Sequence, residues 1–201
     1  MPILEKLTGY AEHTTSLRRP GKKDAPDFTR ARNPQAVRFK DDALVPNNLR
    51  WPLIIYRSAV DLREHHDPAA VIEELFEANG WDDTWRDGIY DYVHYHAKIH
   101  VLGVARGRGR IRFGVNKGRI STLKGGDVAV LPEGTSHQCL SADDDFFVVS
   151  AYPPAGTYDE RTHDPGDRRR VVKTIPKVAP PRKDPAYGTG RPLSKLWKKE
   201  R

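Results

Sequence analysis

The sequence predicts a mainly β protein, built as an antiparallel sandwich or barrel with one short helix. Between positions 36 and 152, short apolar or alternating stretches recur, and glycines and prolines separate them at close intervals, as is typical of antiparallel sheets. Only one stretch has the period and the capping residues of a helix. Both ends of the chain lack a sustained apolar pattern and are rich in basic residues.

The predicted strands form two groups along the chain. Two strands come first, at 37–39 and 53–56, on either side of the turn-like segment 46–48. Six more follow the helix, at 89–96, 99–104, 110–115, 127–131, 136–140 and 146–152.

The helix is predicted at 67–79. Asp67 is a favoured N-cap residue, Pro68 occupies the first helical position, and Gly80 ends the helix. Its apolar face consists of Val71, Ile72, Leu75 and Phe76.

The net charge of +7 is unevenly distributed: residues 1–40 carry +5, residues 41–160 carry −7, and residues 161–201 carry +9. Because the centre is acidic, we expect no specific nucleic-acid partner. Like-charge runs at the ends are typical of solvated tails, which are candidates only for weak, salt-dependent binding to polyanions. We therefore predict a basic N-terminal arm (1–35), a β-barrel domain (36–160) and an extended, basic, proline-rich tail (161–201).

Composition also bears on the compartment. No apolar run approaches the roughly 20 residues that span a bilayer. The single cysteine, Cys139, excludes an intramolecular disulfide and a multi-thiolate metal site. The opening residues lack the apolar segment of a signal peptide, so we expect a cytoplasmic protein without a membrane span.

Three of the eight histidines, His94, His96 and His100, lie within seven residues. Residues two apart in a strand point to the same face, so His94 and His96 project together, and His100 joins them if the strand stays regular. Tyr90 and Tyr92 share this parity. The residues alone leave two interpretations open: a convergent imidazole cluster, or a row of half-exposed aromatic side chains that favour strands regardless of function.

Two motifs extend this cluster. The first fixes Gly88, His94, His96, His100 and Gly107, and the second fixes Gly126, Pro132, Gly134 and His137. Their spacings resemble the two conserved motifs of the cupin superfamily, and the stretch 36–159 is similar to small single-domain cupins of the YjlB-like subgroup. The resemblance implies a double-stranded β-helix, a jelly-roll barrel, with a metal held inside by His94, His96, His100 and His137.

Two positions depart from the cupin pattern. His100 replaces the glutamate ligand of the first motif, and Ser141 replaces the asparagine that closes the second. An all-imidazole set leaves the charge of a divalent ion uncompensated, so it favours an anionic ligand; if His100 turns outward, a more open three-histidine site remains. Imidazole suits several metals; Fe(II) is favoured here, with Zn, Ni, Cu or Mn as alternatives.

The leading hypothesis is a metal-dependent enzyme acting on a small, anionic molecule, with dioxygenase-type oxidoreductase chemistry favoured over isomerase chemistry. Tyr90, Tyr92 and Arg112 are candidates for orienting the substrate or supplying a proton. The alternative is a module that holds a metal or a small ligand without turnover. The resemblance also makes a homodimer the expected assembly.

Overall fold

The structure is a computed structural model that describes residues 17–116, 118–154, 156, 158–162, 164–189 and 192–198. Its strands are β1 (Gln35–Val37), β2 (Leu53–Tyr56), β3 (Asp82–Asp87), β4 (Tyr95–His96), β5 (His100–Arg106), β6 (Arg108–Phe113), β7 (Arg119–Lys124), β8 (Val128–Leu131), β9 (His137–Ala142), β10 (Phe147–Tyr152), β11 (Glu160–Arg161), β12 (Lys183–Asp184) and β13 (Gly188–Thr189). Its helices are α1 (Pro68–Ala78), α2 (Pro165–Thr174) and α3 (Leu193–Leu196), with 3₁₀ turns at Ala25–Phe28 and Ile175–Lys177.

Two sheets form the body of the protein. The larger has the strand order β1-β2-β8-β5-β10-β3 and the smaller has the order β7-β6-β9. Every neighbouring pair in both sheets is antiparallel. The predicted fold class, a mainly β jelly-roll architecture with a short helix before the motif strands, is confirmed.

One of two large hydrophobic cores lies between the two sheets, and the other, which is larger, lies between the outer face of the larger sheet, α1 and the terminal segments. Apolar side chains of the larger sheet, such as Leu53, Leu102 and Leu131, pack against Ile111 and Phe113 of β6. All five are 3% exposed or less. Burying each such side chain contributes about 1.5 to 3 kcal/mol to folding, so the core between the sheets contributes substantially to stability.

Helix α1 covers the outer face of the larger sheet. The Asp67 carboxylate accepts a hydrogen bond from the N–H of Ala69 at 3.2 Å, which is the predicted N-cap. Gly103 of β5 allows the close approach, since a Cβ there would lie 2.6 Å from Cγ2 of Ile72. Among the described residues, no helix is long and apolar enough to cross a bilayer.

The strand predictions differ from the structure at 89–96, and they omit β3, β7 and the two-residue strands β11, β12 and β13. Of the predicted strand 89–96, only β4 is a strand, and the preceding residues form a loop whose Tyr90 carbonyl accepts a bond from the N–H of Cys139 at 2.8 Å. The aromatic alternation of this loop places side chains at a surface rather than in a sheet. The sequence predicts neither β7 nor β3; the latter is a polar edge strand that owes its conformation to pairing with β10.

The C-terminal segment packs against the body, which corrects the prediction of an extended tail. Trp197 is fully buried, its ring stacks on Trp51 with centroids 5.1 Å apart, and its indole N–H donates to the carbonyl of Pro52 at 2.9 Å. The carboxylate of Asp184 accepts a hydrogen bond from the hydroxyl of Tyr56 at 2.6 Å. Proline and charge content wrongly predict an extended tail, because composition does not reveal a few widely spaced residues that are buried against the body.

The described part of the N-terminal arm also packs against the body. Phe28 is 2% exposed, and the guanidinium of Arg19 donates to Glu74 at 2.7 Å and to Glu73 at 3.0 Å on α1. Positions 1–16 of the predicted arm and 199–201 of the predicted tail lie outside the described residues.

Candidate metal centre

Three buried histidines converge from the two motifs. His94, His96 and His137 are 3%, 5% and 2% exposed. One possible ligand atom from each lies within 4.8 Å of the others, and the ring centroids of His94 and His137 are 4.0 Å apart. Together they form the histidine triad.

Backbone pairing between the motif segments positions the triad. The N–H of His94 donates to the carbonyl of His137 at 3.2 Å, and the N–H of His137 donates to the carbonyl of His94 at 2.9 Å. His96 follows in β4. Two reciprocal hydrogen bonds therefore hold imidazoles from distant parts of the sequence side by side.

Gly134 of the second motif adds a further backbone hydrogen bond between the two motif segments. Its N–H donates to the carbonyl of His96 at 2.7 Å. Its φ of +79° lies in the left-handed region, which glycine adopts without steric cost. An added Cβ would also lie 2.8 Å from Cδ1 of Ile175, so both backbone conformation and packing favour glycine here.

The triad imidazoles are neutral at pH 7. Burial lowers the pKa of His94, and burial together with the neighbouring His94 lowers the pKa of His96 to about 4. Burial also holds the pKa of His137 well below its ordinary value. Nδ1 of His94 lies 3.1 Å from the carbonyl oxygen of Tyr92, so Nδ1 carries the proton and Nε2 keeps its lone pair.

This donor set suits a divalent transition-metal ion. Nδ1 of His96 and Nδ1 of His137 are buried and have no hydrogen-bond partner among the described residues. Neutral imidazole is a good ligand for Fe, Zn, Cu and Ni. A backbone carbonyl that fixes the tautomer of a histidine, as Tyr92 does for His94, is a common support for a metal ligand. The triad can therefore hold a metal ion.

His100 lies beside the triad. Its ring centroid is 4.3 Å from that of His96 and 5.2 Å from that of His137. It is 1% exposed, and neither ring nitrogen has a partner among the described residues. Burial holds its pKa well below the ordinary value. The triad thus contains three of the four predicted ligands, and His100 is its neutral neighbour.

A pocket of about 240 Å³ opens onto the triad. Its walls include aromatic and small side chains from β3, β10 and the segments around them: Trp85, Tyr90, Ser150, Tyr152 and Tyr158. The sequence singles out only Tyr90 among these as a site residue. No spacing motif marks the others: Trp85, Ser150 and Tyr152 reach the triad through the pairing of β10 with β3 and β5, and Tyr158 lies between β10 and β11.

Two tyrosine hydroxyls beside the pocket donate to one carboxylate. The hydroxyl of Tyr92 lies 2.6 Å from Oε1 of Glu160, and the hydroxyl of Tyr158 donates to Oε2. The bond to Glu160 raises the pKa of Tyr92 to about 12, so this phenol stays protonated. Burial opposes ionisation of Glu160, but the hydrogen bonds from Tyr158 and Tyr92 prevail and lower its pKa. Glu160 is therefore ionised at neutral pH.

Of the residues predicted to orient the substrate, Tyr90 and Tyr92 lie beside the pocket, and Arg112 lies away from it. Tyr90 lines the pocket, and its ring stacks on that of Tyr92 with centroids 4.9 Å apart. Arg112 does not line the pocket. Ile111 and Phe113 point into the core, so alternation along β6 turns Arg112 to the outer face.

The sequence is similar to that of a bacterial protein without an assigned activity. The uncharacterized protein YjlB of Bacillus subtilis (strain 168) is 36% identical over 169 residues, and the alignment covers 84% of this chain and 99% of YjlB. No family model matches the sequence.

Solved structures also show partial similarity. An acireductone dioxygenase from Bacillus anthracis, with a cadmium ion in its active centre, gives a TM-score of 0.32 at 16% identity, over 42% of this chain and 58% of that chain. An uncharacterized protein from Klebsiella pneumoniae with a double-stranded β-helix domain gives 0.32 at 15% identity, over 69% and 87%. The match spans little more than half the length of the acireductone dioxygenase.

Proposed function

The chain belongs to the family of Bacillus subtilis YjlB, and we propose that it is a metal-dependent enzyme that acts on a small, anionic molecule. The proposed chemistry is a dioxygenase-type oxidation with Fe(II). The observation that carries the proposal is the buried histidine triad beside an open pocket.

The number of ligands supports catalysis over a purely structural ion. Structural zinc sites are usually closed by four protein ligands, whereas catalytic sites keep three and leave room for water or substrate. The triad provides three. A bound Fe(II) would supply redox chemistry with dioxygen and would polarise the substrate as a Lewis acid.

The charge and size of the pocket support a small anionic substrate. The triad is neutral, so it does not cancel the charge of a divalent ion, and an anion is the complementary ligand. At about 240 Å³, the pocket is smaller than the roughly 300 to 1,000 Å³ typical of drug-sized ligands. The substrate is accordingly a molecule of few heavy atoms.

The pocket side chains orient the substrate and limit its contact with water. Tyr152 is 1% exposed, and burial raises its pKa, so its phenol stays protonated as a hydrogen-bond donor. The rings of Trp85 and Tyr158, with centroids 5.3 Å apart, form an aromatic wall. Tyr90 completes the wall and orients the substrate, while Tyr92 holds Glu160 in place.

Elemental analysis followed by an oxygen-uptake assay tests this proposal. Protein purified without added metal is analysed for metal content, loaded anaerobically with Fe(II), and screened with small diketones, thiols and phenolic acids. We expect one ion per chain and oxygen uptake with at least one substrate class. His137→Ala should abolish both, whereas Arg112→Ala, on the outer face, should retain both.

Two other results separate the alternatives. Metal retention by the wild type without oxygen uptake on any substrate would favour a module that binds a metal or a small ligand without turnover. Absence of metal binding by the wild type would contradict the enzyme and the metal-binding module, and would leave only a module that binds a small ligand.

A further inference from the structure

A divalent ion in the triad would keep its full charge inside a buried site. The triad side chains are neutral, and each is 5% exposed or less. A buried charge without compensation is strongly unfavourable, so a nearby carboxylate would increase the affinity for the ion. Three acidic residues lie near the triad: Asp87, Asp159 and Glu160.

Two of these carboxylates are poorly suited to compensate the ion. Asp159 binds the guanidinium of Arg161, with contacts of 2.6 and 3.3 Å, so a cation beside it already offsets part of its charge. Asp87 is exposed, and one of its oxygens accepts a bond from the N–H of Gly88 at 2.7 Å. Water and salt weaken the field of such an exposed charge.

Glu160 differs from both. It is half-buried and ionised, and its partners are the hydroxyls of Tyr92 and Tyr158. No ion pair formed within the described residues includes Glu160. Its negative charge is therefore held in place without being cancelled by a cation.

The backbone connects Glu160 to two members of the triad. The pairing of β11 with β4 places Glu160 directly opposite His96. Tyr92 donates its hydroxyl to Glu160 at 2.6 Å, and its carbonyl oxygen lies 3.1 Å from Nδ1 of His94. Burial lowers the pKa of His94 and of His96; the charge of Asp159 opposes this at His96, and the charge of Glu160 opposes it at both residues.

We propose that Glu160 is the charge-compensating residue of the metal centre: it does not ligate the ion, but it offsets one unit of the ion's charge from beside the triad. This inference rests on the proposed metal site. Glu160 is a positioning residue, since it acts on the ion through space and through His94 and His96.

The compensation also defines the charge of the ligand. A divalent ion next to one carboxylate leaves a single positive charge in the centre. The pocket lining contains no lysine or arginine among the described residues, so a second negative charge on the ligand would have no partner. The pocket therefore selects singly charged anions, such as a monocarboxylate or an enolate, over dianions.

Cobalt(II) and azide are suitable probes for the full-length protein. Cobalt affinity is measured by competition with a chelator, and azide affinity is measured from the visible absorption of the cobalt-loaded protein. Glu160→Gln keeps an oxygen that accepts from Tyr92 but removes the charge. We expect its cobalt affinity to fall by about 10- to 100-fold and its azide affinity to rise by about fivefold.

Opposite changes in the two affinities distinguish charge compensation from a structural defect, which would lower both. Asp87→Asn, which removes the other uncancelled carboxylate, is the matched control and should change each affinity by less than about twofold. Unchanged cobalt affinity in Glu160→Gln, or a fall in both affinities, would overturn the inference while leaving the metal site intact. A wild-type protein that binds no cobalt would instead remove the metal site itself.

Discussion

Two buried polar clusters in this protein differ in how their hydrogen-bonding groups are satisfied. The carboxylate of Asp184 accepts bonds from the hydroxyl of Tyr56 at 2.6 Å and from three backbone N–H groups at 2.9, 3.1 and 3.2 Å. In the histidine cluster, Nδ1 of His96, Nδ1 of His137 and both ring nitrogens of His100 have no partner among the described residues. Both clusters are almost completely buried.

This difference in hydrogen bonding indicates that the cluster around Asp184 serves stability and the histidine cluster serves binding. Buried polar groups in folded proteins are nearly always hydrogen-bonded, because each unsatisfied group costs about 1 to 3 kcal/mol. The cluster around Asp184 follows this rule and anchors the C-terminal segment. His96 and His137 depart from it beside an open pocket, as expected for groups whose partner is a ligand.

Disrupting the hydrogen-bonded cluster around Asp184 should give the largest effect, a loss of stability. Asp184→Ala leaves the Tyr56 hydroxyl and three backbone N–H groups without their acceptor. We expect the free energy of unfolding to fall by about 3 to 5 kcal/mol, measured by urea denaturation. Tyr56→Phe, which removes only one of these bonds, should cost about 1 kcal/mol. Equal losses for the two variants would show that the carboxylate does not anchor the segment.

Removing a triad ligand should act on binding instead. His96→Ala should lower the affinity for a divalent metal by at least about 100-fold, since each ligand of a tight site contributes roughly 3 kcal/mol. Isothermal titration with Zn²⁺ measures this loss, and a thermal melt of the metal-free protein should show little destabilisation. Retained affinity in His96→Ala would exclude this residue as a ligand.

Glu133, in the turn of the second motif, predicts a pH dependence. Both carboxylate oxygens are buried without a partner among the described residues, and burial raises its pKa from 4.5 to about 7. Between these values the unfolded state ionises while the folded state keeps its proton, so stability falls as pH rises and levels off above about 7. The decrease should be about 2 to 3 kcal/mol.

Glu133→Gln should remove this slope. The neutral amide does not titrate, so urea denaturation of the metal-free variant should give a flatter stability profile between pH 5 and pH 7 than the wild type. The same slope in both proteins would assign the pH dependence to other groups.

His100 should give the smallest effect. Its ring contacts that of His96 but lies outside the group whose ligand atoms share one location. His100→Ala should therefore lower metal affinity by less than about 10-fold, in the same titration used for His96→Ala. A loss as large as that of His96→Ala would make His100 a fourth ligand.

The two main helices show how far sequence predicts this fold. Both begin with the same pair, Asp67-Pro68 in α1 and Asp164-Pro165 in α2, and in both the aspartate caps the helix. The sequence predicts only α1, because its apolar face is continuous, whereas α2 buries just Val171. Helix α2 depends on contacts with the body, which local patterns do not report.

The candidate site likewise contains residues that the sequence predicts and residues that it does not. Motif spacing predicts His94, His96 and His137, because these residues lie in two short segments whose internal spacing can be read from the sequence. Glu160 has no local signal, because a two-residue strand places it opposite His96 only in the folded chain. Strand parity places Arg112 on the outer face of β6, because its neighbours Ile111 and Phe113 are apolar and point into the core.

Anomalous X-ray diffraction from crystals grown with Co²⁺ most directly tests whether the triad is a metal centre. We predict one strong anomalous peak about 2.0 to 2.1 Å from a ring nitrogen of each of His94, His96 and His137. A map without a peak between these rings, or with the ion bound only at surface carboxylates, would contradict it.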